Sequence, residues 1–169
     1  MTLAPSTTRR GHVRGFTLIE LLVVIAIIGI LSAVVLAALN TARSKGNDAS
    51  IKSNLDTIRT QSAIYYDSNN NAYGTNAAAA GPAVGNATCA LSTTLFNDPN
   101  IQAAIQSADK AAGGTGSPTT KVQCAEAINS AAWQVSAPLY NVGAGTNWCV
   151  DSTGFSGATS TPTATTYHC

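Results

Sequence analysis

Charge is scarce in this sequence: of 169 residues only 10% are charged, nine of them basic and eight acidic. A disordered polyelectrolyte is excluded. Without a basic excess, the chain also lacks the electrostatic footprint that nucleic-acid binding requires, so no nucleic-acid partner is expected. Histidine is nearly missing, with His12 and His168 alone. A metal site at His168 and Cys169 would lack the three well-placed protein ligands that catalytic zinc uses. No glycine-rich phosphate-binding loop is present. These absences leave an enzyme without its usual material, and no catalytic residue, metal or cofactor is expected.

Large apolar side chains are also in short supply past residue 66, where Thr, Ser, Asn and Gly fill the space between them. The apolar fraction of 45% conceals this, because 29 of those residues are alanine. A region of about 100 residues with so thin a core needs staples. All four cysteines, Cys89, Cys124, Cys149 and Cys169, lie in it. They read as disulfides formed outside the cytosol rather than as separate buried thiols. Four cysteines allow three connectivities. A link from Cys169 to Cys149 would tie down the Thr/Ser/Gly-rich tail from Gly154 and leave Cys89 to Cys124, which makes it the preferred pairing among the three.

What the chain does have is one long apolar run. Residues 21–42 contain no charge, and 22 residues of helix at ~1.5 Å each span roughly the ~30 Å hydrocarbon layer of a membrane. The preceding stretch, Met1 to Gly15, carries Arg9, Arg10 and Arg14 and no acid. The positive-inside rule holds these arginines in the cytoplasm and sends the C-terminal part outward, the compartment the cysteines ask for. A secretory signal peptide cut near Ala37 or Ala38, or an ordinary single-pass anchor, would also account for the run. Neither explains Glu20, an acid at its very start, where burial in lipid is costly.

The segment Arg14-Gly15-Phe16-Thr17-Leu18-Ile19-Glu20-Leu21-Leu22-Val23-Val24-Ile25 and its continuation through Leu31 resembles the N-terminal signature of the type IV pilin family. Type II secretion and competence pseudopilins share it. The resemblance is strongest over residues 14–39 and only architectural beyond residue 70. It implies that a prepilin peptidase cuts after Gly15, that the new N-terminal Phe16 is N-methylated, and that Glu20 matches the family's assembly glutamate. Physical chemistry supports the last point. Glu20 stands one helical turn after the amine that cleavage would free on Phe16, and in a filament it could meet that of a neighbouring copy. Many family members carry a helix proline one or two turns beyond the position of Gly29; here none occurs before Pro82.

After Leu39 the pattern becomes amphipathic. Ile51, Leu55, Ile58, Ser62 and Tyr65 recur at intervals of three and four, one face of a helix. A single helix from about Phe16 to Tyr66 would reach ~75 Å at ~1.5 Å per residue. Asp67 to Gly74 is turn-forming, and Thr75 to Asn86 reads as an irregular surface crossing. Asp98 and Pro99 open a short packing helix that Gly113 and Gly114 stop. Strands are expected at Thr119–Ala125, Ala131–Ala137 and Asn147–Ser152, the second ended by Pro138. Alternation of Trp133 and Val135 with Gln134 and Ser136 suggests one buried face. Asp151-Ser152-Thr153-Gly154 reads as a plain turn, with too few carboxylates nearby for calcium.

The expected fold class is α+β: a long N-terminal helix, transmembrane in its first half, packed on a small antiparallel sheet. The expected organisation is a leader at 1–15, an apolar transmembrane and assembly helix at 16–39, its amphipathic continuation at 40–66, and an extracellular head at 67–169. The expected function is that of a structural subunit of a type IV pilus. Its partners are copies of itself in a helical homopolymer, prepilin peptidase, the membrane assembly platform with its ATPase, and lipid before assembly. It would pass from the cytoplasmic membrane, as a single-pass precursor, to the extracellular filament. The alternatives are a pseudopilin of a secretion or competence system, or a secreted binding domain with an ordinary signal peptide.

Overall fold

The computed structural model describes residues 15–74, the backbone of 83–85, and residues 89, 94–116, 121–127, 130–143, 145–160 and 169. The chain divides into two compact units, Met1–Asn40 and Thr41–Cys169.

Helix α1, Leu18–Ser68, supplies elements to both units. Within the first unit it is exposed on every side, including Leu21, Ile25, Ile28, Leu31 and Leu36. A helix is the structure such a run adopts where no water is available, because it satisfies its backbone groups within one segment. In the second unit α1 buries one stripe, Asp48, Ile51, Leu55, Ile58 and Ser62, at the three-and-four spacing of a helix packed on one face. It ends where Asn70 and Asn71 take left-handed backbone angles, φ 53° and 59°, and Asn71 N–H donates back to Tyr66 O at 3.0 Å. Asparagine tolerates that region better than most side chains.

The second unit is an α+β fold with a five-stranded antiparallel sheet. The strands are β1 (Ala83–Gly85), β2 (Gln123–Glu126), β3 (Trp133–Pro138), β4 (Asn147–Asp151) and β5 (Ser156–Thr159). They lie side by side in chain order. Between β1 and β2 come a 3-10 turn at Leu95–Asn97 and helix α2, Pro99–Ala111. Asp98 caps α2, its Oδ1 accepting from Asn100 N and Ile101 N at 2.9 and 3.2 Å. One core joins Ile51, Leu55 and Ile58 of α1 to Phe96, Ile101, Ile105, Val122, Trp133, Val135 and Val150.

Several sequence expectations need correcting. The stretch read as an irregular crossing contains β1, which pairs Ala83 with Glu126 and Gly85 with Cys124. The tail contains β5, paired with β4 from Asn147–Thr159 to Val150–Ser156. β2 begins at Gln123 rather than Thr119, and β3 begins at Trp133 rather than Ala131. Pro138 belongs to β3, opposite Asn147, instead of stopping it. Its missing N–H is tolerated at a strand end. Finally, β3 is buried on both faces: Gln134 and Ser136 are each only 2% exposed. Ser136 lies opposite Cys149 and Gln134 opposite Asp151, and Cys169 is fastened to both of these partners, so Cys169 lies on that face.

Candidate assembly and processing segment

Gly15, Phe16 and Thr17 precede the helix and have no regular structure. Phe16 is 83% exposed, and nothing lies within 4 Å of where a Cβ on Gly15 would project. Among the described residues, the Gly15–Phe16 peptide bond thus lies outside the helix with nothing packed against Gly15.

The first turn of α1 is locked by a reciprocal pair of contacts. Glu20 Oε2 accepts from the Thr17 backbone N–H and from the Thr17 hydroxyl, each at 2.9 Å. Thr17 Oγ1 in turn accepts from Glu20 N–H at 3.2 Å. This is a capping box, in which residues three apart satisfy each other's orphan helix-end donors. Sequence reasoning assigned Glu20 to the Phe16 amine and missed Thr17. The signal was present as Thr17-Leu18-Ile19-Glu20, the [ST]-x-x-E pattern that opens a helix. Beyond it, Glu20 is the sole charged side chain from Phe16 to Ala42. The helix is long and apolar enough to cross a membrane.

The head holds the remaining candidate residues. Cys89 is bonded to Cys124 and Cys149 to Cys169, with Cα separations of 5.2 and 5.8 Å. Cys169 is thereby unavailable as a thiolate ligand. His12 and His168 lie outside the described residues. Among the described residues no group of three or more His, Cys, Asp or Glu side chains could hold a metal.

The Asp151–Gly154 segment forms the β4–β5 hairpin turn. Asp151 Oδ1 accepts from Thr153 N and Phe155 N at 2.9 and 3.2 Å, and from the Thr153 hydroxyl. Its Oδ2 accepts from Cys169 N at 2.9 Å. Burial pushes the Asp151 carboxyl up, but the bonds from Thr153, Cys169 and Phe155 outweigh it and hold the group below the usual carboxylate range. Beside this turn a cleft of about 220 Å³ is lined by Arg59, Tyr73, Trp133 and Asp151. Arg59 spends its guanidinium on Gly154 O at 3.0 Å. Trp148 packs against the core, with the Lys52 ammonium 4.6 Å from its ring centre.

An α+β head carrying an apolar helix that begins with a glycine-preceded capping box defines a pilin-like protein. Over residues 10–36 the chain matches the family described as "Prokaryotic N-terminal methylation motif". It is also 46% identical over 69 residues to the "Type IV wide pilus major component PilA4" of Thermus thermophilus, a match covering 40% of this chain and 51% of that protein. The chain thus spans about half the length of the curated relative it matches. No solved structure matches it. At its N-terminal segment the chain thus carries a prokaryotic N-terminal methylation motif, and part of it is similar to a type IV pilus component.

Proposed function

We propose that the chain is a structural subunit of a type IV pilus filament. The observation that carries this is the apolar first part of α1, up to Asn40, exposed on every side, whose single charge, Glu20, sits in the first turn, shortly after an accessible Gly15–Phe16 bond. Uniform apolar exposure is stable only in lipid or among other apolar helices. A filament supplies the second environment after the membrane has supplied the first. Prepilin peptidase cuts between Gly15 and Phe16, and Phe16 is then N-methylated. The membrane assembly platform and its ATPase pass the subunit from the cytoplasmic membrane to the filament outside. Cleavage removes Arg9, Arg10 and Arg14, leaving six basic and eight acidic side chains and a surface unsuited to general nucleic-acid capture. The role is structural rather than enzymatic.

Mass spectrometry of protein from sheared filaments tests this reading. A mature N-terminus at Phe16, heavier by the mass of one methyl group, is the expected result. An intact leader or a start beyond Ala37 would refute it.

A further inference from the structure

Helix α1 carries four cations, Arg43, Lys45, Lys52 and Arg59. The head gives the two farther ones a partner: the Lys52 ammonium stands 4.6 Å from the centre of the Trp148 ring, and Arg59 donates to Gly154 O at 3.0 Å. Arg43 and Lys45, which follow the charge-free run most closely, are exposed. The next acid along the helix, Asp48, is already engaged, its two oxygens accepting from Tyr140 N–H and Asn141 N–H at 2.7 and 2.9 Å.

Asp48 is also the first residue of α1 that the head buries. From Ala42, the end of the charge-free run, to Asp48 the helix rises ~9 Å at ~1.5 Å per residue. Nothing lies within 4 Å of a Cβ position on Gly46, so this neck is open where the head has not yet closed on the helix. Its length is close to the depth of the lipid headgroups, roughly 5–7 Å on each side of the hydrocarbon layer. Standing two residues apart at ~3.6 residues per turn, Arg43 and Lys45 project to nearly opposite sides of the neck.

We propose, resting on the reading that residues 21–42 cross the membrane, that Arg43 and Lys45 form a collar that binds the phosphate groups of lipids on the outer face of the membrane and sets the height of the head before assembly. The Arg43 guanidinium offers a planar fork of donors to two phosphate oxygens. Lys45 offers a point charge on a flexible stem that can lie along the helix while the ammonium reaches the headgroup layer. From Phe16 to Asn47 the only acid is Glu20, at the far end of the run, so no negative side chain on the neck repels the phosphates. The collar resists sinking of the head into lipid, and its phosphate contacts must break when a subunit is drawn out into a filament.

The test is solid-state NMR of the full chain in phospholipid bilayers, with arginine ¹³C-labelled at the guanidinium carbon and recoupled to lipid ³¹P. The Arg43 signal is the one lost in Arg43→Gln, and the Arg59 signal the one lost in Arg59→Gln. Arg59, 16 residues farther along and so ~24 Å away, is the internal control. Arg43 is expected to lose most of its intensity under ³¹P recoupling and Arg59 to keep its own. Lys45, followed with ε-¹³C lysine and identified by Lys45→Gln, is expected to behave as Arg43 does. Full retention of the Arg43 or the Lys45 signal, in a chain that resists carbonate extraction from the bilayer, would overturn the collar and leave the membrane reading standing. Equal loss at Arg43 and Arg59 would overturn it too, since the head would then be lying on the lipid. Release of the chain by carbonate would overturn both the collar and the reading beneath it.

Discussion

Asp48, Asp109 and Asp151 share a task that composition cannot reveal: each uses a buried carboxylate to gather backbone N–H groups from a loop. Asp48, on α1, takes those of Tyr140 and Asn141 at 2.7 and 2.9 Å. Asp109, at the end of α2, takes Gly116, Lys121 and Val122. Asp109→Ala should therefore cost at least about 3 kcal/mol, since several buried donors lose a charged acceptor together; urea unfolding of the purified chain measures it. Asp151 adds a dependence on acid. Its carboxyl is held below the usual range, so its contribution persists above that range and is lost as pH falls through the folded value. Acid unfolding below about pH 4 should be shallower in Asp151→Asn than in the wild type. Asp48 and Asp109 were visible in the sequence only as isolated charges, and Asp151 only as the start of a turn. Asp48 and its acceptor role join residues 92 apart, a distance over which no local pattern extends.

The helices were legible because their signals are local. The apolar run and the three-and-four spacing of Ile51, Leu55 and Ile58 locate α1, and Asp98-Pro99 locates the start of α2. β1 and β5 were not, because Ala-Val-Gly and Ser-Gly-Ala-Thr have no alternation to read, and only an adjacent strand makes them strands. One position within α1 is open to improvement. Gly46 has nothing within 4 Å of a Cβ position, so Gly46→Ala should stabilise the helix by about 0.5–1 kcal/mol, read as a higher unfolding midpoint. The start of α1 permits a sharper separation. Thr17→Ala removes the hydroxyl half of the capping box and keeps the carboxylate, whereas Glu20→Ala removes the charge and makes the segment more apolar. If Glu20 serves assembly, Glu20→Ala should insert into the membrane normally yet yield few sheared filaments, and Thr17→Ala should retain most of them. Equal filament loss in both variants would reduce Glu20 to a helix cap.

At the scale of the molecule, stability rests on a modest core and two covalent links. The sequence showed the need for staples, since bulky side chains beyond residue 66 are few, and favoured without fixing the connectivity that the structure has. Which cysteines meet depends on sheet register: Cys124 lies on the core face beside Val135, Cys149 on the opposite face beside Ser136. Removing the Cys149–Cys169 link with a paired Cys→Ser variant should cost about 3 kcal/mol, measured by urea unfolding. Non-reduced peptide mapping of the wild type should find no alkylatable thiol. The order of the sheet has a kinetic consequence. Strands that neighbour one another in space also neighbour one another in the chain, so every pairing after β2 closes only a short loop. A head delivered across a membrane from its N-terminal side can add each strand to one that has already arrived. Translocation and folding can then proceed together, with little unpaired edge left waiting for a distant partner.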